Sequence, residues 1–165
     1  MRATIRTAVV TLVIGALLAG GGALANASVA TKANPCKLLK TSEIKAQLGG
    51  DVTGPTKGLV TPVSNHCRWG ASADADRPEG EVVVGLQFVG AKIAFNTAKK
   101  QPSNESVSGL GKAFYVPSLS VVWVLKGSTL LTVQGVFIGI GNTGIDKFDA
   151  KDQLVALAKK ARSRL

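Results

Sequence analysis

The chain has 165 residues and carries 20 Lys and Arg against 10 Asp and Glu, a formal net charge of +10. That length suits one domain beside a short targeting segment, and the charge favours anionic partners without saying anything about fold. One histidine and two cysteines are too few for a zinc centre, which takes about four such ligands.

Arg2 and Arg6 precede an apolar run at 8–19 (AVVTLVIGALLA), which is followed by glycines and a small-residue stretch at 23–30. This is the three-part plan of a secretory signal peptide. Cleavage is expected after Ala25 or Ala30, because Ala23 and Ser28 then place small side chains at the −3 position. The expected division is a signal peptide at 1–30 and one exported domain at 31–165. Retention as an uncleaved anchor is the competing reading. The run at 8–25 is shorter than the ~20 apolar residues that span a bilayer, and Gly20, Gly21 and Gly22 interrupt it. No Arg-Arg pair points to twin-arginine export. Leu18, Ala19 and Gly20 would lead into a lipoprotein box, but Gly21 stands where the acylated cysteine belongs, so no stable membrane anchor is expected. Loss of Arg2 and Arg6 leaves 18 basic and 10 acidic residues, a charge of +8. The expected product is soluble and extracytoplasmic.

An even cysteine count in an exported chain reads as a disulfide, here Cys36–Cys67. His66 beside Cys67 raises a metal or nucleophile alternative. With no second histidine, neither a ligand set nor a paired base comes from residues of that type.

Thr41 is expected to cap a helix of about two turns, with Ile44 and Leu48 on one face and Gly49 and Gly50 at its end. Residues 51–65 contain Pro55 and Pro62 and read as a weak strand or edge hairpin, since proline is excluded from central strands. A strand follows at 67–72, then a turn at 74–80. Residues 81–89 (EVVVGLQFV) alternate as a strand, with Val82, Val84, Leu86 and Phe88 on one face. Residues 91–100 read as a helix with Ile93 or Ala94 and Ala98 inward, and 101–106 as a polar loop. Strands are expected within 107–116, at 119–126 and at 129–138, the last two joined by a Gly127-Ser128 hairpin. Asp146 or Asp149 caps a final helix buried through Leu154, Leu157, Ala158, Ala161 and Leu165. Short turns between strands imply antiparallel pairing. The fold class is therefore α+β: an antiparallel β-sheet of about six strands with helices packed on one face, in the order α-βββ-α-βββ-α.

Gly139 to Gly144 (GIGNTG) matches G-x-G-x-x-G, but no helix opens at the loop and no second strand with its acid follows, so a dinucleotide site is not expected. Gly109 and Gly111 before Lys112 read as a tight turn, with an anion nest as the alternative. Asp74, Asp76, Glu79 and Glu81 lack calcium-loop spacing and read as a solvated turn. No G-x-S-x-G occurs, whereas acid pairs for glycosidic chemistry depend on the fold. Phe88, Phe95, Trp69 and Trp123 look like core and leave little aromatic surface for nucleic acid.

Cys36-x-Leu-Leu-x-x-Ser-Glu-Ile, Cys67-Arg-Trp, Gly109-Leu-Gly-Lys-Ala-Phe-Tyr, Val124-Leu-Lys-Gly and the terminal helix together resemble an actinobacterial family of small secreted proteins and lipoproteins built on a domain of unknown function. The resemblance implies the Cys36–Cys67 bridge, an antiparallel sheet with helices, and a Gram-positive envelope setting. It implies no enzymatic activity. Many such proteins are anchored through a lipidated cysteine, from which Gly21 departs. The functional expectation is a non-enzymatic exported binding domain without cofactor or metal. Its partner is an anionic envelope polymer or a secreted protein, and no nucleic acid. A secreted enzyme inhibitor or an extracellular hydrolase is the alternative.

Overall fold

The computed structural model describes residues 33–73, 78–138 and 150–165. The segment 1–30 expected to be a signal peptide, with Gly21 and both expected cleavage positions, Asp74 and Asp76, residues 139–144, and the cap candidates Asp146 and Asp149 lie outside them. A 3-10 turn at Pro35–Lys37 precedes α1 (Thr41–Leu48), β1 (Val52–Val60), β2 (Ser64–Ala71) and β3 (Glu79–Gln87). Then come α2 (Ala91–Lys99), β4 (Glu105–Ser106), β5 (Lys112–Val116), β6 (Val121–Lys126), β7 (Thr129–Ile138) and α3 (Ala150–Ser163). These elements, their core and the disulfide all lie in one compact unit, residues 33–165, as an independently folding domain requires.

The strands form one antiparallel sheet in the order β1-β2-β3-β7-β6-β5-β4. Two meanders meet through their last strands, β3 and β7, at the centre of the sheet. The α+β antiparallel architecture is as the sequence implies. The expected count of six strands becomes seven among the described residues, because β4 falls inside the segment 101–106 read as loop. Its two residues are polar and pair only with Tyr115 and Phe114, too short a stretch to show alternation. The opposite edge, β1, carries Pro55 and Lys57 and two register breaks, devices that blunt an exposed edge.

The helices do not share one face. Cys67, Trp69, Val82, Val84, Leu131 and Val133 point to the first face, where they form the main core with Leu38, Leu39, α1 and α3. Phe114 and Leu130 point to the second face, where they pack with Ala91 and Phe95 of α2. This corrects the expectation of one covered face. Residues 121–125 (VVWVL) are apolar at every position, the pattern of a strand buried on both sides. Within α2 the buried residues are Ala91 and Phe95, four apart, with Ala94 and Ala98 packed partly buried beside them as expected, while Ile93 is 74% exposed.

Helix α1 begins one residue away from its expected cap. Lys40 holds the N-cap position, its N–H donating to Glu43 Oε2 at 2.9 Å, and Thr41 instead donates to the Gly54 carbonyl. The same Glu43 carboxylate has a tertiary partner: Arg164, the residue after α3, donates to both Glu43 oxygens, at 2.6 and 2.7 Å, and to the Leu38 carbonyl at 2.8 Å. This bidentate fork ties the chain's last helix to its first. The Arg164 guanidinium holds the Glu43 carboxyl at about 2, below its ordinary 4.5, with the Lys40 N–H and Lys160 acting in the same direction and burial opposing them. The unfolded chain therefore binds more protons between these two values. Stability from this contact is complete above 4.5 and is lost as pH falls toward 2. Glu43→Gln should cost on the order of 2 kcal/mol at neutral pH, allowing for the partial exposure of Arg164. It should also flatten the acid limb of stability against pH, measured by urea unfolding. An unchanged acid limb would count against the contact.

Candidate functional site

Helix α2 covers the second face only over β5, β6 and β7. Over β2, β3 and the neighbouring part of β7 that face is open, and the polar or small residues His66, Arg68, Glu81, Gly85, Thr132 and Gln134 share it with Val83 and the half-exposed Val136. Arg68 and Glu81 approach to 3.6 Å across this surface. Directly behind them, Cys67, Trp69, Val82 and Val84 are fully buried. The period-2 alternation of a one-sided antiparallel strand separates the two sets.

A groove of about 320 Å³ runs along the boundary between the open face and the α2-covered part. Val63, Ser64, His66, Gln87, Trp123 and Thr132 border it, and Gly85 is its floor. The register places His66, Gly85, Thr132 and Trp123 in one row across four strands. A side chain at Gly85 would begin 2.5 Å from Thr132 Oγ1 and 2.9 Å from the His66 ring, so only glycine keeps the row open. His66 Nδ1 lies 3.4 Å from the Leu59 carbonyl, while Nε2 borders the floor. The indole N–H of Trp123 is buried without an acceptor. The site thus offers an imidazole, two hydroxyls, an amide and one aromatic wall. That is the equipment of a binding groove: a few polar groups that orient a ligand against an apolar surface.

Cys36 and Cys67 are joined by a disulfide, with their Cα atoms 5.1 Å apart. His66 and Cys67, adjacent in sequence, point to opposite faces of β2 because successive strand residues alternate. The groove therefore contains His66 without a thiol. Gly109 and Gly111 both take positive φ, as a tight turn requires. Of the acids read as a turn, Glu79 and Glu81 belong to β3, and Glu81 is engaged by Arg68. Glu79 and Glu81 line a second concavity of about 530 Å³ with Asp51 at the end of the sheet. No group of three or more His, Cys, Asp or Glu among the described residues is placed to hold a metal ion.

Sequence reasoning weighed His66 only as a partner of Cys67 and did not find the groove. The signal was present in β2 (SNHCRWGA), whose alternate polar residues mark an open face, beside β6, which is apolar on both. Comparison of the chain with family models, curated proteins and solved structures finds no match.

Proposed function

We propose that this chain is an exported, non-enzymatic binding domain of the cell envelope that takes its ligand in the His66–Thr132 groove. The observation that carries the reading is a concave stretch of sheet, with polar groups set against an apolar wall, left open beside a core whose buried side chains among the described residues are all apolar. The leader pattern at 1–30 and the Cys36–Cys67 bridge support an oxidising, extracytoplasmic setting. No helix among the described residues is long and apolar enough to cross a membrane. The charge of the mature chain favours an anionic envelope polymer as ligand.

Two measurements test this. N-terminal sequencing of protein from the medium should find a start at Asn26 or Thr31; a full-length chain confined to membranes would overturn export. Residues 31–165 should sediment with purified cell walls bearing phosphate-rich polymer and release no soluble fragments. His66→Ala and Gly85→Ala should each lower that binding at least several-fold. Equal binding by both variants would remove the groove from the proposal. Fragment release abolished by a single carboxylate substitution would replace the binding reading with a hydrolase.

A further inference from the structure

One end of the sheet gathers two kinds of surface that meet the groove only at Val63. The end of β1 and the turn into β2 present Leu59, Val60 and Val63, which are 68%, 50% and 44% exposed. Phe88 N–H donates to the Val63 carbonyl, which brings Val89 and the first turn of α2 beside that hairpin. Val89 is 59% and Ile93 74% exposed. These are five of the eight large apolar side chains left exposed among the described residues; a chance scatter would not place so many at one end.

Cations continue the same edge. Phe88, Ile93 and Ser128 line one shallow concavity, so the β6–β7 hairpin adjoins the apolar cluster. Lys126, on that hairpin, donates to the Arg162 carbonyl at 3.2 Å. Arg162 and Lys159 of α3 lie over the turn before β5: a side chain at Gly111 would begin 3.5 Å from Arg162 Nη2, and one at Gly109 would begin 3.7 Å from Lys159 Nζ. None of the ion pairs among the described residues uses Lys126, Lys159 or Arg162. The described acid closest to this end, Glu43, is engaged by Arg164 and Lys160. Asp51, Glu79 and Glu81 line the opposite end of the sheet. Like charges at i and i+3 on a helix repel, so Lys159 and Arg162 form a pair that an anion would stabilise.

We propose that this end docks on an anionic lipid surface. Leu59, Val60, Val63, Val89 and Ile93 enter the headgroup layer, and Lys126, Lys159 and Arg162 meet lipid phosphates. Side-by-side apolar and cationic surfaces are what an interfacial binder needs, because neither term alone holds a protein to a bilayer firmly. A soluble polyanion would use the cations and leave the apolar cluster without a role. This surface shares only Val63 with the groove, and the residues changed in its test, Ile93, Lys159 and Arg162, lie outside the groove, so the two proposals are tested separately.

The test is flotation of oxidised residues 31–165 with vesicles of phosphatidylglycerol and phosphatidylcholine, and with phosphatidylcholine alone. Binding is expected to the anionic vesicles only, and to weaken in high salt. Lys159→Glu with Arg162→Glu should lower it by well over tenfold, since each cation near a membrane contributes roughly a fivefold factor. Ile93→Ser should lower it several-fold with an unchanged melting temperature, because that side chain is already in solvent. Lys99→Glu with Lys100→Glu, the same charge change on the last residues of α2 and its cap, should matter much less. Absence of binding to anionic vesicles would overturn the proposal. So would equal losses from the two charge reversals, or binding indifferent to Ile93→Ser and fully reproduced by soluble polyphosphate.

Discussion

Replacing both cysteines, Cys36→Ser with Cys67→Ser, should lower the unfolding free energy by about 3–4 kcal/mol, as expected for closing a loop of this length. The sequence separation is 31 residues, so the unfolded chain gains a large loop's worth of freedom when the link is lost. The native side adds a local effect. The 3-10 turn at Pro35–Lys37 packs on β2 and β3, and Cys67 beneath it is fully buried. Urea unfolding of the oxidised and double-serine domains measures the difference, and mass spectrometry should find the oxidised chain 2 Da lighter than its reduced form, as loss of two hydrogens requires. Hydrogen exchange should accelerate first in residues 33–40, which the bridge pins to the sheet. A loss below about 1 kcal/mol would show that the unfolded state is already compact around this loop.

Trp69→Ala should cost about 3–5 kcal/mol, the usual range for removing a large aromatic from a packed interior. Trp69 is fully buried on β2 at the centre of the main core. It pairs with Val82 across the strands. Its indole N–H is buried without an acceptor, which already subtracts from its worth. Trp69→Phe should therefore cost much less than the alanine change, because the ring's apolar contacts largely remain and the unpaired donor is gone. Thermal melts of the two variants separate these terms. A phenylalanine variant as unstable as the alanine one would mean that the N–H has a partner in solution.

Much of the fold was legible because its elements are local. Alternation in EVVVGLQFV marks β3, the Gly127-Ser128 pair marks the β6–β7 hairpin, and Pro55 marks β1 as an edge. The helix faces were legible only where one stripe is apolar, as in α3. In α2, Ala94 and Ala98 face inward as expected, but the burial of Phe95 in place of Ile93 is not local: a nine-residue helix with scattered apolar positions turns toward whichever surface the sheet offers it. That surface is Phe114, with its ring 5.0 Å from Phe95 and 5.6 Å from Trp123. The Glu43 carboxylate at the start of α1 likewise has its partner in Arg164, more than a hundred residues away.

The candidate site was less legible. His66, Gly85, Thr132 and Trp123 come from four strands, and only the register puts them in one row. Their types carry no motif, since a histidine, a glycine and a threonine at these spacings occur in any strand.

The sequence by itself determined the pairing of the two cysteines and the α+β class, because each rests on parity or short-range periodicity. The tertiary structure alone decided that α2 crosses to the second face, that half of that face stays open, and that cations and apolar side chains share one end of the sheet. Those outcomes depend on which distant surfaces meet, a contest between burial terms that no local window of sequence contains.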